Sequence, residues 1–293
     1  MSTQMSMTAM RLAKILAGLG LFASVAPASA ANGQDAEYVS LGSSFGAGPG
    51  VTHAADGSPP VCARSNDNYA HLYARSSNVS LRDETCSGAA TKDVLHASAG
   101  KPAQIDAVGP TTKLVTVTVG GNDVYYLGNL MGQSCLRSPA SVPSSWKKLG
   151  VCTVKTTAEV EEKFGGLEAS MRAIVAGIKT RAPDARIIFV NYIRILPQNG
   201  SCAKLPLTTA QLNAGRKTAA RVEAITRKVA AETGVDLLDA ATMSHGHDIC
   251  SAKPWATGFV FSPNVQQYGL VPYHPTLPAM TAIARKIGEM QTR

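Results

Sequence analysis

The stretch "EYVSLGSSFGAGPG", residues 37–50, carries the first candidate chemistry in this chain. A short apolar run, Tyr38 to Leu41, meets two adjacent serines, Ser43 and Ser44, flanked by Gly42 and Gly46. A strand entering a glycine-bounded turn is a common way to present a nucleophile, and a serine hydroxyl becomes one when a base takes its proton. Two more glycine-marked turns, "ETCSGAATKDVL" and "VTVGGNDV", contain Gly88 and Asn122, and "YHPT" sets His274 close to the C-terminus. Imidazole titrates near neutral pH, which suits a general base. Each feature also has an ordinary structural explanation. The serine can cap a helix, the glycine can serve its turn, Asn and Asp populate tight turns, and His274 can be a loop residue between Pro272 and Pro275. A further segment, "MSHGHDIC" (243–250), puts His245 and His247 beside Asp248. No third or fourth ligand follows at a recognisable spacing, so it reads as a loop near the site in preference to a metal centre.

These residues must be positioned by something, and the apolar runs indicate what. "YVSL" (38–41), "NVSLR" (78–82), "KLVTVTVG" (113–120), "RIIFVNYI" (186–193) and "VDLLDA" (235–240) are continuous apolar or β-branched runs. Such runs suit strands covered on both faces. Between them, 158–182 spaces Val160, Phe164, Leu167, Met171, Ile174 and Ile178 as a helix and stops before Pro183. Residues 208–234 repeat the pattern through Leu212, Val222, Ile225 and Val229 and end on Gly234, and 276–290 predict a last helix. Alternating strands and helices imply βαβ units and a parallel sheet with helices on both sides. In such a sheet the ligand crevice lies beyond the carboxyl ends of the strands, where these turns fall.

The bulk properties narrow the class. The chain has 293 residues, 45% hydrophobic and 16% charged, which is ordinary for a globular protein. The net charge of +8 is spread along the chain, with no Lys/Arg run of the kind nucleic-acid binders carry. Arg11 and Lys14 precede "ILAGLGLFASVAPASA", an apolar segment ending on Ala28-Ser29-Ala30. This reads as a signal peptide over 1–30, cleaved after Ala30, and predicts a single domain over 31–293 that is secreted or periplasmic. The apolar stretch is shorter than the roughly 20 residues of a spanning helix. The remaining cysteines, Cys62, Cys86, Cys135, Cys152, Cys202 and Cys250, are even in number, which in an exported chain argues for disulfides. Fifteen pairings are open. The simplest is sequential, 62–86, 135–152 and 202–250, because each bridge then closes a local loop.

Taken together and in order, the four blocks resemble those of the SGNH (GDSL-type) hydrolases, named for Ser, Gly, Asn and His in separate blocks. The resemblance runs from Tyr38 to about Ile287 and is closest in look to secreted bacterial lipases and esterases with three disulfides. It implies an α/β fold, a three-layer α/β/α sandwich around a mostly parallel sheet of about five strands, flavodoxin-like in outline. It also implies roles. Ser44 matches the nucleophile, and Ser43, where the family usually has Asp, is a hydrogen-bonding turn position. The Ser44 and Gly88 N–H groups and the Asn122 side chain would form an oxyanion hole, and His274 would be the base. The usual last block is Asp-x-x-His, but Val271 stands three residues before His274. The expected arrangement is a Ser–His dyad, with the carbonyl of Val271 or a near neighbour holding the imidazole. Asp239 and Asp248 are the alternatives.

The function expected is an exported serine esterase or lipase acting through an acyl-enzyme on lipid or simple acyl esters. No cofactor, metal or nucleic acid is expected. A monomer is expected, with transient contact with lipid surfaces. Acyl transfer to an alcohol would use the same residues. An inactive binding protein of the same fold is a further reading, since Val271 replaces the acid. A dinucleotide loop fails, because Val51 falls where G-x-G-x-x-G requires glycine. Trp255, Phe259 and Phe261 would line an acyl pocket or serve as packing.

Overall fold

In the computed structural model, residues 36–261 and 271–292 are described. The proposed signal segment therefore lies outside the described residues. Five strands, β1 (Tyr38–Gly42), β2 (Leu81–Asp83), β3 (Leu114–Thr118), β4 (Arg186–Val190) and β5 (Asp236–Leu238), form one sheet in the order β2-β1-β3-β4-β5. Every pairing is parallel. β1 and β3 are buried at each position, so both faces are covered, as their continuous apolar runs require.

The helices are α1 (Ser44–Ala47), α2 (Tyr69–Ser77), α3 (Thr91–Leu95), α4 (Tyr126–Arg137), α5 (Ser144–Lys148), α6 (Thr157–Arg181), α7 (Thr209–Thr233), α8 (Ala240–Met243) and α9 (Leu277–Gln291). α2 packs against α9, while α6 packs against α3 and α7, and α4 against α7. The three long predicted helices lie within a residue of their expected bounds. Capping boxes start two of them, Thr156 with Glu159 and Thr208 with Gln211, and Gly234 ends α7 in the left-handed region. The strand ends are shorter than the apolar runs suggested. "RIIFVNYI" leaves the sheet after Val190, which frees Asn191 and Tyr192 for other contacts. α2 and α4 were not anticipated, although each carries an apolar face at helical spacing, Tyr69 with Tyr73 on α2 and Leu127 with Leu130 on α4.

The parallel order collects the turns after β1, β2 and β3 at one edge, and reverses direction between β1 and β3. That switch is where open α/β sheets form their crevice. Three disulfides brace the loops between these elements: Cys62–Cys86, Cys135–Cys152 and Cys202–Cys250, the sequential pairing. With separations of 24, 17 and 48 residues, each contributes about 3–4 kcal/mol in the chain-entropy account. The first holds the turn containing Gly88, and the third joins the loops that follow β4 and β5.

Candidate active site

β1 ends on Gly42, with φ of 130°, and a Cβ there would sit 2.1 Å from the Thr118 carbonyl oxygen. Only glycine lets the chain turn so close to β3. The Gln104 side chain grips this residue from both sides, accepting from its N–H at 2.7 Å and donating to its carbonyl at 3.1 Å. Ser43 N–H then donates to Thr118 O at 2.8 Å. Ser44 follows as the first residue of α1, where its own N–H has no intrahelical acceptor.

Across the crevice, His274 Nε2 stands 2.8 Å from Ser44 Oγ. His274 Nδ1 is 2.7 Å from the carbonyl oxygen of Pro272. A carbonyl only accepts, so Nδ1 carries the proton and Nε2 is free to accept the Ser44 hydroxyl. The Val271 carbonyl is engaged elsewhere, by Thr257 Oγ1. The two remote carboxylates are also committed: Asp239 to Asn191, Thr242 and Arg227, and Asp248 to the Cys250 N–H. Burial pushes the His274 pKa from 6.5 down to about 4, and the bond to Pro272 opposes this only in part. The imidazole is therefore neutral at rest.

The loop carrying His274 owes its shape to Tyr273, whose φ of 64° is unusual for a bulky residue. That turn brings the Pro272 carbonyl and the His274 ring to the same side. Tyr273 is fully buried and its hydroxyl shares a hydrogen bond with Ser134. Thr257 adds a second clamp. Its hydroxyl donates to the Val271 carbonyl and accepts from His274 N–H at 3.2 Å, while its own N–H donates to the His274 carbonyl at 3.0 Å.

The turns of the two remaining candidates are linked by the Asn122 side chain. Asn122 Nδ2 donates to Ala89 O at 2.9 Å, which fixes the amide and leaves its second N–H for a ligand. Asp123 accepts from Thr91 N–H at 3.1 Å and from the Thr91 hydroxyl, clasping the same turn. Gly88 has φ of 83°, and a Cβ there would meet nothing within 4 Å. Its glycine is required by the turn conformation, and the space over it is open.

Several supporting residues carried no signal in the sequence reading. Tyr192 accepts from Gly121 N–H at 3.0 Å and shares a hydrogen bond with Ser43 Oγ at 3.0 Å. It thus joins the Ser44 and Asn122 turns, and burial raises its phenol pKa to about 12, so it stays neutral. Phe45 packs between the Tyr192 ring, at 4.7 Å, and the His274 ring, at 5.4 Å. Phe259 stacks on Tyr273 and meets Phe261, whereas Trp255 stacks on His247 at 4.4 Å. His247 Nδ1 faces the Lys253 carbonyl, and among the described residues no group of three or more His, Cys, Asp or Glu side chains could hold a metal.

A serine hydroxyl bonded to a buried neutral imidazole, at the carboxyl edge of a parallel sheet, is the setting of a serine hydrolase. The chain belongs to the GDSL-like lipase/acylhydrolase family, whose model matches residues 40–279, and it is an ester-hydrolysing serine hydrolase. It is 34% identical to "Lipase 2" of Streptomyces coelicolor over 86% of this chain and 84% of that protein. It is 33% identical to "Lipase" of Streptomyces rimosus over 81% and 82%. Among solved structures, the extracellular lipase of Streptomyces rimosus superposes with a TM-score of 0.65 at 28% identity, covering 85% of this chain and 98% of that one. A phospholipase A1 from Streptomyces albidoflavus shares the fold with a TM-score of 0.63 at 24% identity, over 86% and 99%.

Proposed function

We propose that this protein is an exported lipase or esterase in which Ser44 and His274 form a catalytic dyad. The observation that carries the reading is the 2.8 Å contact from Ser44 Oγ to an imidazole whose other nitrogen is held by the Pro272 carbonyl. His274 takes the Ser44 proton as Oγ attacks the ester carbonyl. The oxyanion is received by the N–H groups of Ser44 and Gly88 and by the free N–H of Asn122. The imidazolium then protonates the leaving alcohol, and water, deprotonated by the same nitrogen, releases the acid. A carbonyl in place of Asp fixes the tautomer but offers the imidazolium only a dipole. Lipid or simple acyl esters are the expected substrates, in keeping with relatives named as lipases. The reading of export is supported by the apolar leader over 1–30, by the three disulfides and by the likeness to the extracellular lipase of Streptomyces rimosus.

The test is covalent labelling with a fluorophosphonate. Wild type and Ser43→Ala are expected to label, while Ser44→Ala is expected not to. Absence of label on folded wild type, or label retained in Ser44→Ala, would overturn the assignment.

A further inference from the structure

The stretch between Asp123 and Glu159 contains no acidic residue, yet it carries Arg137, Lys147, Lys148 and Lys155. Lys155 is paired with Glu159. The other three have no acidic partner among the described residues, and all three are exposed. They lie at the end of α4 and on α5, and Cys135–Cys152 ties α4 to the segment that follows α5.

Exposed apolar side chains adjoin these cations along the chain: Leu136 precedes Arg137, Leu149 follows Lys148, and Val260 precedes Phe261, which Trp146 touches. Leu149 is 70% exposed, Leu136 65% and Val260 42%, three of the five large hydrophobic side chains most exposed among the described residues. Trp146, on α5, sets its ring edge-to-face against Phe261 at 5.0 Å. From there an aromatic path runs through Phe259 to Tyr273, the neighbour of His274. The patch is thus continuous with the loop that presents the imidazole. Exposed leucines cost free energy in water, and unpaired lysines beside them add no burial. A tryptophan flanked by lysines and apolar side chains is what a lipid headgroup boundary accommodates, with the ring at the interface and the cations on anionic groups.

We infer that α5 and the end of α4 form a docking surface for an anionic lipid bilayer, with Leu149 and Trp146 entering the interface and Lys147, Lys148 and Arg137 meeting the headgroups. Charge complementarity selects this occupant: a neutral protein partner would leave three cations unanswered. This inference is separate from the Ser44–His274 assignment, because docking requires no catalysis.

The test is cosedimentation of the protein with sucrose-loaded vesicles of ether-linked phosphatidylglycerol and phosphatidylcholine, which have no carboxylic ester to hydrolyse. Wild type is expected to bind the mixed vesicles and to release as salt rises. Lys147→Glu/Lys148→Glu is expected to weaken binding at least about tenfold, since it replaces two attractions to the anionic surface with two repulsions. Lys92→Glu/Lys217→Glu, the same charge change on α3 and α7, is expected to weaken it less than about threefold, because a screened charge acts weakly beyond a Debye length. Leu149→Asp is expected to lose about tenfold from the apolar contact. Melting temperatures confirm that each variant is folded. Equal losses for the two lysine pairs would overturn the surface as a specific site, as would binding by Leu149→Asp indistinguishable from wild type. A concentration-dependent dimer removed by Leu149→Asp, with vesicle binding intact, would assign the patch to a second copy of the chain.

Discussion

The serine side and the histidine side of this crevice are held by different kinds of structure. Ser44 follows directly from β1 and is fixed by sheet geometry, with Gly42 against Thr118 and with Gln104 and Tyr192 bonded to the turn. His274 sits on a loop that belongs to no strand of the sheet, just before α9. Its position depends on the left-handed Tyr273, on the Pro272 carbonyl and on a single neighbouring segment, 255–258, which bonds to Tyr273, His274 and Thr276. The serine side is therefore over-determined, and losing one contact there leaves several. The histidine side leans on its own turn and on that one segment, so each of its contacts carries more of the geometry. Perturbing His274 and its supports should cost activity out of proportion to stability.

The largest effect tests whether a carboxylate is involved at all. His274→Ala is expected to lower kcat by about 10⁴-fold or more, in line with removal of a catalytic base. Asp239→Asn and Asp248→Asn are expected to stay within about threefold of wild type, since neither carboxylate contacts the imidazole. A collapse of kcat in either asparagine variant, measured on a soluble p-nitrophenyl ester, would replace the Pro272 carbonyl with an acid and make the two sides of the crevice more alike.

The second effect is on pH. His274 stays neutral in the folded protein down to about 4, whereas in the unfolded chain it ionises below 6.5. Between those values the unfolded state binds more protons, so stability rises with pH there and falls on acidification. The contribution is complete above pH 6.5 and is lost as the pH drops to about 4. At about 1.4 kcal/mol per pH unit, that interval corresponds to about 3 kcal/mol. Urea unfolding of wild type and His274→Gln at pH 7 and pH 4.5 isolates it. Wild type is expected to lose more stability than the variant, and kcat/KM of wild type is expected to persist well below pH 6.5. Equal losses would mean that His274 is not buried as an uncharged group.

Legibility in the sequence divides along the same line. The strand runs, the two long capped helices and the motif residues could be read because local chemistry announces them: β-branched runs, capping boxes, and glycines at turns. Ser44 and His274 stand within hydrogen-bond reach of each other, and Asn122 is bonded to Ala89 beside Gly88, so the turns after β2 and β3 adjoin. What could not be read is long-range. Gln104 reaches Gly42 across 62 residues and Tyr192 reaches Ser43 across 149, and no spacing rule predicts either. Pro272 could be narrowed only to the neighbourhood of Val271, because a backbone acceptor leaves no side-chain signature. Thr257 carried no motif at all.

The smallest effect is the most selective for the comparison. Thr257 is bonded to none of Ser44, Gly88 and Asn122, yet its hydroxyl spans the histidine loop from Val271 to His274. Thr257→Val keeps the volume and removes both bonds, leaving a backbone acceptor and a backbone donor without that partner. A buried hydrogen bond of this kind contributes about 1 kcal/mol to stability, so the melting temperature should fall by a few degrees. If the threonine only supported the fold, the folded fraction would keep its kcat and its rate of fluorophosphonate labelling. If it positions the imidazole, both should drop about tenfold, since small misplacements of a base are costly, while KM stays nearly constant. Thr257→Ser restores the hydroxyl and should recover both rates. The matched change on the serine side, Tyr192→Phe, removes a bond from a turn that also has Gln104 and the Thr118 carbonyl, and should lower kcat less than Thr257→Val does. Reversal of that order would show that the serine turn depends on its tyrosine as much as the histidine loop depends on its threonine.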